Sequence, residues 1–371
     1  MAYSTKSSGE FLKKAFSPFS PFFPRWGDKS YLSLDIGSSS VKMLEVRGDG
    51  KAARVLNAGI VPLPANAVQS NMVQDSESVT RAIQTLLEEH RIKTTEVITA
   101  VPGPAVIIKR ANFPSQDPQE LHETILFEAG NFIPESLENV NLDYQIFDRG
   151  SDTDNVDVLL VAVRKDVIKS FLTPISDAGL FPVIVDVDYF ALENMFELNH
   201  TSPPEETVAL INIGARYSSI NILKGGRSAF TGDVPFAGRQ FTEILANELG
   251  LSDEQAEGIK ITGRTEGRQK EEAERVIATA SGQLFDEIQR AFSFFWTDPG
   301  DHISSIYLSG GAAQISGLAP AMSERLQVPV EVADPFRLLT INRQADSGFI
   351  RQHASTLAVC VGLATRRPGD K

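Results

Sequence analysis

The sequence predicts an α/β protein of two lobes, and three observations carry this prediction. The chain has 371 residues, more than one small core needs, and this length fits about two or three domains. A unit of three apolar strands joined by two turns occurs twice, first as LSLDIG, SSSVKMLEV and ARVLNAGIV, and later as VALINIG, ARYSSINIL and RSAFTGDV. Strands and helices alternate through the rest of the chain, which is typical of α/β proteins. We interpret the repeat as an internal duplication; the alternative is a chance likeness of two hairpins.

Composition and charge exclude several classes of protein. Hydrophobic residues make up 42% and charged residues 22% of the chain, the proportions of an ordinary globular protein. The formal net charge of -13 argues against a general nucleic-acid binder, because phosphate recognition needs a basic surface. Cys360 is the only cysteine, so we expect no disulfide framework within the chain and a reducing compartment. No apolar run approaches the ~18 residues of a spanning helix and no secretion signal opens the chain, so we expect a cytoplasmic protein.

Residues 1–29 differ from the rest of the chain. They combine aromatic residues with lysines, arginine and several prolines, and these prolines forbid one continuous helix. We predict a flexible tail. The alternative is a tail that docks on a membrane surface or a partner, because basic groups and aromatic rings suit an anionic lipid interface.

The segments between and after the two repeated units predict both strands and helices. Apolar runs predict strands at VITAVPG, AVIIKRANF, LDYQIF, VDVLLVAV, PVIVDVD and ISSIYLSGG. Apolar spacing predicts a helix from about Asp117 to Phe132, ended by Pro134, and a helix over DVIKSFLTPISDAG closed by Gly179. The segment EEAERVIATASGQLFDEIQRAFSFFW carries one apolar stripe that we expect to face the core. A helix beginning near Leu318 and one over STLAVCVGLAT close the chain.

The first turn of the first unit, DIGSSSVK, has the composition of a phosphate-binding turn. Gly37 lets the backbone bend close to a ligand, and the N–H groups and hydroxyls after it form a nest for phosphate oxygens. Asp35 ends the strand and is placed to hold a hydrated Mg²⁺. Small polar residues also occupy ordinary hairpin turns for conformational reasons, which is the alternative. The candidate phosphate ligands of this turn are Gly37, Ser38, Ser39, Ser40 and Lys42.

Two later turns complete the candidate site. The second repeated unit places Asn212 and the turn after it where the first unit has its phosphate turn, so we expect the two turns to face each other across a cleft. Paired glycines after the strand IYLS let a backbone lie against adenine or ribose without Cβ clashes; a simple strand-to-helix loop is the alternative. The candidates are Gly214, Ala215 and Arg216 in the second turn and Gly310, Gly311 and Ala312 in the third.

This triple of turns is the pattern of the actin, Hsp70 and sugar kinase superfamily, and the sequence resembles its members. Two segments closely resemble the type IV pilus assembly PilM family: FEAGNFIP with the following VNLDY, and IVDVDYFALENMFE at residues 184–197. The resemblance covers roughly Leu32 to Ala364. It implies an actin-like fold, in which two ribonuclease H-like lobes arise by duplication and a subdomain of the FtsA and PilM type is inserted in the first lobe.

The resemblance also implies a division of the chain. We predict a first-lobe core, a subdomain inserted in that lobe, a second-lobe core and a helical subdomain of the second lobe. Their ranges, in that order, are 30–102 with 181–205 and 343–371, then 103–180, then 206–240 with 303–342, and then 241–302.

For the cofactor, the resemblance implies ATP with Mg²⁺ in the cleft between the lobes, with the first two turns at the phosphates and the third facing the adenosine. Glu257 and Lys260 match the spacing of a pair that flanks adenine and ribose in the superfamily; a surface ion pair is the alternative. Many members carry Asp at the position of Asn212, and an amide is no general base and offers Mg²⁺ less charge. We therefore expect slow ATP hydrolysis at most. Asp186 is the one further carboxylate weighed as a base, and we prefer to interpret it as a cap of the helix that starts at Tyr189.

For partners, the resemblance implies the amino-terminal cytoplasmic tail of the inner-membrane protein PilN, docked in a groove between the main part of the first lobe and the inserted subdomain. The predicted function is an ATP-binding scaffold, peripheral to the inner membrane, that couples nucleotide state to pilus assembly and twitching motility. A small-molecule kinase of the same superfamily and an FtsA-like filament-forming protein are the alternatives. A kinase needs a clear base, and the filament protein ordinarily carries a carboxy-terminal amphipathic helix, which we do not expect from the ending RRPGDK.

Overall fold

The computed structural model describes residues 30–370, except 49–51, 115–116, 148–154, 202, 204, 264, 266 and 296–301; the tail predicted over 1–29 lies outside the described residues. The strands are β1 Ser30–Ile36, β2 Ser40–Arg47, β3 Arg54–Pro62, β4 Val68–Gln69, β5 Met72–Val73, β6 Glu96–Val101, β7 Val106–Pro114, β8 Val140–Phe147, β9 Asn155–Arg164, β10 Phe181–Val187, β11 Thr207–Ile213, β12 Ser218–Lys224, β13 Arg227–Val234, β14 Ser305–Ser309, β15 Val330–Val332 and β16 Thr340–Ile341. The helices are α1 Ser76–Glu89, α2 Pro118–Phe132, α3 Lys165–Asp177, α4 Asp188–Asn199, α5 Gly238–Leu249, α6 Asp253–Thr262, α7 Gly267–Phe295, α8 Leu318–Leu326, α9 Ser347–Gln352 and α10 Ala358–Leu363. None of these described helices is both long enough and apolar enough to cross a bilayer.

The two lobes contain sheets with the same strand order, so the predicted duplication is confirmed. In the first lobe β3, β2 and β1 form an antiparallel meander, and β6 and β10 continue the sheet as parallel strands. In the second lobe β13, β12 and β11 form the meander, and β14 and β15 continue it. The first sheet has one additional strand, β16, which pairs with the far side of β3. The six-stranded first sheet therefore has β10 at one edge and β16 at the other.

Helices α4 and α10 join the two lobes. One core cluster contains residues of both sheets, such as Leu44 and Leu210, together with residues of both helices. The helices approach so closely that a Cβ on Gly362 would lie 1.6 Å from the carbonyl oxygen of Ala191. No side chain fits at that contact, so a glycine sets the spacing between α4 and α10.

A three-stranded antiparallel sheet, β7-β9-β8, follows β6 and carries α2 on one face. Helix α2 begins after Asp117, whose carboxylate accepts a backbone N–H at 3.0 Å, as the predicted start requires. Its buried side chains, one turn apart, are Leu121, Ile125 and Ala129. This sheet lies within the range 103–180 predicted for an inserted subdomain, and α3, in the same range, packs against α1 and β10.

Helix α1 is absent from the sequence-based prediction. Asp75 precedes it, and its carboxylate accepts the N–H of Ser78 at 2.9 Å. Its apolar side, which packs on the first sheet, consists of Val79, Ala82, Ile83 and Leu86. The cap and the apolar spacing are both local signals, so the sequence alone is enough to predict this helix.

Candidate functional site

The first turns of the two repeated units face each other across a cleft between the lobes. They enclose a small cavity of about 70 Å³. Its lining includes Asp35, Gly37, Ser38, Ser39 and Lys42 from the first lobe and Asn212, Gly214 and Ala215 from the second. The structure thus brings together most of the residues proposed for phosphate, and the two metal candidates line the same cavity.

The first turn is closed by an ion pair. Lys42 Nζ donates to Asp35 Oδ2 at 2.9 Å, and the two side chains are only 13% and 19% exposed. A Cβ on Gly37 would lie 2.7 Å from Lys42 Nζ, so the lysine fills the space beside the glycine. The N–H of Gly37 donates to the carbonyl oxygen of Ser40 at 3.0 Å, and Ser40 itself is buried in β2. A phosphate entering this turn has to compete with Asp35 for the lysine.

The second turn is fixed by the amino-terminal end of α5. The first two N–H groups of that helix, beginning with Gly238, donate to the carbonyl oxygens of Gly214 and Ala215 at 2.9 and 2.8 Å. Arg216 faces elsewhere: its guanidinium donates to Asn66 Oδ1 at 2.8 Å, an exposed contact between the lobes. Arg216 is therefore not part of the cavity lining, whereas the two residues before it are.

The third turn lies directly against the second. Gly310 has a φ of +89°, and an added Cβ would lie 2.3 Å from the carbonyl oxygen of Ile213. Ser355 holds the turn from the other side, since its carbonyl accepts the Gly310 N–H at 2.8 Å and its hydroxyl donates to the Gly310 carbonyl at 3.1 Å. Ser309 Oγ donates to Asn212 Oδ1 at 3.3 Å. The second and third turns are thus packed together through their backbones.

Glu257 and Lys260 lie on one face of α6 and reach the same region. Lys260 Nζ donates to Glu257 Oε2 at 2.6 Å and to the carbonyl oxygen of Gly238 at 3.0 Å. A Cβ on Gly238 would lie 3.3 Å from Ala312 Cβ and 3.4 Å from Lys260 Nζ, so α6, α5 and the short turn that Gly311 begins meet here. Lys260 is only 8% exposed, and burial lowers its pKa. The lysine of this pair is therefore buried, whereas Glu257 is 44% exposed.

Asp188 is a cleft residue that the sequence-based prediction misses. It is the first residue of α4, it is buried, and it lines the cavity. The Tyr217 hydroxyl donates to its Oδ2 at 3.0 Å, and the N–H of Gly103 donates to its Oδ1 at 2.8 Å. Burial raises the pKa of Asp188 to about 7, and the carboxylates of Asp233 and Asp35 add to the rise. A carboxyl whose pKa is raised toward neutral pH therefore lies between the first turns of the two units.

Asp186, weighed as a base or a helix cap, has neither role in the structure. It lies in β10 and is paired with Arg366, whose Nε is 3.2 Å from Asp186 Oδ2. The preference for a cap was wrong, because the cap position of α4 is Val187 and no side chain caps that helix. Helix α4 begins at Asp188, one residue before the predicted start at Tyr189. Asp188 therefore lines the cleft, and Asp186 does not.

The cavity offers a divalent metal ion several oxygen-bearing side chains, among them the carboxylate of Asp35 and the amide of Asn212, which are the two predicted metal ligands, and the carboxylate of Asp188. Mg²⁺ is commonly held by one or two such groups together with waters and substrate phosphates. Among the described residues there is no group of three or more His, Cys, Asp or Glu side chains placed to hold a metal alone. The side chains present fit a metal ion that shares its ligands with a bound phosphate.

A second cavity of about 810 Å³, which we call the groove, lies between the sheet β7-β9-β8 and the first lobe. We call this three-stranded sheet the inserted sheet. Strands β8 and β9 form one wall, β10, α3 and α4 form the other, and the β12–β13 hairpin of the second lobe contributes to the lining. Both β8 and β10 are edge strands of their sheets. The apolar lining includes Leu142, Ile146, Val161, Val185 and Phe190, and the acidic lining includes Asp143, Glu193 and Glu197.

The second lobe contacts the inserted sheet beside the groove. Arg110 Nη2 donates to the carbonyl oxygen of Ser228 at 2.6 Å, and the guanidinium of Arg227 lies 5.5 Å from the centre of the Phe147 ring. Ser228 Oγ donates to Asn221 Oδ1 at 2.7 Å, and Asn221 Nδ2 donates to a backbone carbonyl of α4 at 3.1 Å. Elements of both lobes therefore shape the groove.

Comparison with known proteins identifies the family and the fold. Residues 33–368 match the type IV pilus assembly protein PilM family. The structure is similar to that of a PilM–PilN type IV pilus biogenesis complex, with a TM-score of 0.77 and 26% identity over 93% of this chain and 100% of the other. It is less similar to the ethanolamine utilization protein EutJ from Carboxydothermus hydrogenoformans (TM-score 0.57, 14% identity, 95% and 93% of the two chains) and to MreB 5 of Spiroplasma citri bound to AMPPNP (0.52, 13%, 90% and 94%). The chain therefore belongs to the type IV pilus assembly protein PilM family and has the actin-like two-lobe fold.

Proposed function

We propose that this chain is a nucleotide-binding scaffold of type IV pilus assembly that holds the amino-terminal tail of PilN in the groove. The observation that carries the proposal is the groove itself, a cavity of about 810 Å³ between the inserted sheet and the first lobe of a PilM-family chain. Similarity to a PilM–PilN complex supports the identity of the occupant. Through PilN the protein is held at the cytoplasmic side of the inner membrane.

The groove has the chemistry to bind an extended peptide. Its two walls end in the edge strands β8 and β10, and unpaired backbone groups of an edge strand can pair with an added peptide. Val185 of β10 is 36% exposed, although valine is usually buried, and it offers an apolar contact at that edge. Glu193 and Glu197 lie on the α4 side of the groove, and burial raises the pKa of both, that of Glu193 to about 7. A positively charged chain amino terminus placed beside them favours their charged form.

In the cleft, the proposed ligand is ATP with Mg²⁺. The triphosphate lies between the first turn, from Gly37 to Lys42, and the second turn at Gly214 and Ala215, and the third turn faces the adenosine together with Lys260. Asp35 and Asn212 hold the metal ion, which neutralises phosphate charge. The cavity of about 70 Å³ is far smaller than the ~300 Å³ or more of ligand pockets, so binding requires the lobes to separate.

Helix α4 connects the two proposed sites. Its first residue, Asp188, lines the cleft, and Glu193 and Glu197 further along the helix line the groove. The β12–β13 hairpin moves with the second lobe and contacts the inserted sheet through Arg110. A nucleotide that binds one lobe arrangement more tightly than the other therefore also favours one shape of the groove. The difference between its two affinities sets the size of this shift.

Binding of a labelled synthetic PilN amino-terminal tail, followed by fluorescence anisotropy with and without Mg-ATP, tests the proposal. We expect saturable binding whose affinity depends on nucleotide. In a Gly37→Asp variant the new carboxylate repels phosphate, so the tail should still bind but lose its dependence on nucleotide. In a Val185→Lys variant a charge replaces an apolar contact, and binding should weaken about tenfold or more.

The matched control is Val332→Lys. Val332 lies in β15, the counterpart of β10 in the second lobe, and is similarly exposed at 43%, but it lies outside the groove. Tail binding equal in the Val185 and Val332 variants would place the peptide elsewhere. An absence of tail binding in a protein that still binds ATP would end the PilN assignment, and an absence of ATP binding would end the nucleotide part alone.

A further inference from the structure

We propose that a pocket within residues 334–354 is a docking site for a short acidic peptide of a second partner protein. This segment carries the chain from β15 of the second lobe back to the first lobe. It surrounds a cavity of about 460 Å³, which we call the arginine pocket. The arginine pocket is separate from the cleft and from the groove and shares no lining residue with either.

The walls of the arginine pocket combine an apolar floor with a basic rim. Leu339, Ile341 and Ala345, which are partly exposed, form the apolar floor above the buried Phe336 and Ile350. Three exposed arginines, Arg337, Arg343 and Arg351, surround that floor. An apolar anchor side chain fits such a floor, and flanking carboxylates fit a guanidinium, whose planar fork binds them with two hydrogen bonds.

Two of the three arginines that line this pocket are free to bind a ligand. In the described part of the chain, Arg343 and Arg351 make no ion pair and no side-chain hydrogen bond, whereas Arg239 and Arg325 pair with carboxylates at 2.7 and 2.9 Å. Asp334 is the only acidic side chain that lines the pocket, and its Oδ1 already accepts the N–H of Phe336 at 3.0 Å. Three arginines against one aspartate give this pocket a net positive charge on a chain whose net charge is -13.

Charge complementarity selects an acidic peptide over a membrane as the occupant. A chain with a net charge of -13 is repelled by an anionic bilayer, and three arginines offset only part of that repulsion. A short peptide brings its carboxylates to the rim alone and does not face the rest of the acidic surface. The apolar floor gives it a further contact that a free inorganic anion does not use.

The position of the arginine pocket allows both partners to bind at once. Ile341 of β16 lines the pocket, and Val185 of β10 lines the groove. These strands form opposite edges of the six-stranded sheet, about 24 Å apart at ~4.8 Å per strand. A protein with one peptide site at each edge can hold two assembly proteins together, which is the task of a scaffold.

Fluorescence anisotropy with the labelled peptide Glu-Asp-Leu-Glu-Phe-Asp-Glu and the full chain tests this proposal. We expect saturable binding, and no binding of an analogue in which Gln and Asn replace the acids. The double variant Arg343→Glu with Arg351→Glu should weaken binding of the acidic peptide about tenfold or more. The matched control, Lys270→Glu with Arg275→Glu on the exposed side of α7, changes the net charge equally and should bind the peptide as the wild type does.

Two further measurements keep the outcome clear. Binding of the PilN tail to the Arg343 and Arg351 variant should equal that of the wild type, which shows a folded protein and separates this pocket from the groove. In the second measurement, vesicles of phosphatidylglycerol and phosphatidylcholine replace the peptide. The proposal is overturned if the acidic peptide fails to saturate, if both double variants lose it equally, or if the vesicles bind through these arginines while the peptide does not.

Discussion

The first and second repeated units share one strand order, but they hold their first turns by different means. In the first unit a side-chain ion pair, Lys42 with Asp35 at 2.9 Å, closes the turn. In the second, α5 donates backbone N–H groups to the turn and Gly310 packs against the carbonyl of Ile213. A ligand can open an ion pair by offering the lysine another anion, whereas it cannot shift packed backbone at similar cost. The first turn is therefore the adaptable side of the cleft, and the second is the fixed side.

The largest loss in the free energy of unfolding should follow a substitution of Gly310, which packs against the second turn. Gly310→Ala places a Cβ 2.3 Å from a backbone oxygen at a φ of +89°, so both the clash and the strain oppose folding. We expect a loss of about 4 kcal/mol or more in the free energy of unfolding, measured with urea. Gly250→Ala is the control, because its φ is +63° but nothing lies within 4 Å of the new Cβ, and it should cost about 1 kcal/mol. Equal losses in the two variants would mean that the backbone packing at Gly310 is unimportant.

Asp188, the acid between the two turns, should contribute a measurable part of the pH dependence of stability. Burial raises the pKa of Asp188 to about 7 from an ordinary value of 3.8. The folded protein then keeps the proton over a range in which the unfolded chain has released it, so stability falls as the pH rises from about 4 to 7. Asp188→Asn carries no such proton, and we expect its unfolding free energy to vary by up to about 3 kcal/mol less than that of the wild type between pH 5 and pH 8.

Urea unfolding at several pH values measures this difference. Asn can still accept the N–H of Gly103 through its side-chain oxygen, so the variant should fold. The control is Glu324→Gln on the exposed side of α8, which should leave the slope unchanged. A wild-type stability that rises over this range would contradict the raised pKa.

A smaller effect is expected on nucleotide affinity when the adaptable turn loses its lysine. Lys42→Met should weaken Mg-ATP binding about tenfold to a hundredfold, because a hydrogen bond to a charged oxygen contributes about 1.5 to 3 kcal/mol. Arg216→Met is the comparison, since that guanidinium pairs with Asn66 outside the cavity lining, and it should change affinity little. Calorimetric titration measures both. If the arginine variant loses as much affinity as the lysine variant, the second turn binds phosphate through a side chain after all.

The smallest effect should follow an added methyl group in the adaptable turn. In Gly37→Ala the new Cβ meets the far end of the flexible Lys42 side chain at 2.7 Å rather than backbone. The lysine can move aside, so the free energy of unfolding should change by less than about 1 kcal/mol in urea. A loss as large as that of Gly310→Ala would show that both turns are equally rigid and would remove the contrast.

The parts of the fold that the sequence predicts are those with local signals. Apolar alternation and turn glycines mark the repeated units, and Gly225 and Gly226 end the second hairpin at φ values of +60° and +76°. Asp117 and the spacing after it predict the start of α2 correctly. Helix α1 has signals of the same kind, beginning at Asp75, and a closer interpretation of the cap would have found it.

The site residues that the sequence misses depend on contacts between distant segments. Asp188 lines the cleft from the first turn of α4, and its hydrogen bonds come from Gly103 and Tyr217 in other elements. The pairing of Asp186 with Arg366 joins β10 to the carboxy-terminal end of the chain. Local periodicity cannot reveal such pairs, because they arise only when the sheets and helices have packed.

Helix α4 contacts α10 through its backbone at Ala191, which lies against Gly362. We expect any movement of α4 to take place about this contact, because no side chain separates the two helices there. At ~1.5 Å per residue along the helix, Asp188 lies about 4.5 Å from Ala191 on the cleft side, and Glu197 lies about 9 Å from Ala191 on the groove side. A tilt that moves the cleft end by 1 Å, roughly, then moves the groove end by about 2 Å in the opposite direction. If α4 moves as a rigid body about this contact, a small displacement in the cleft is doubled at the groove.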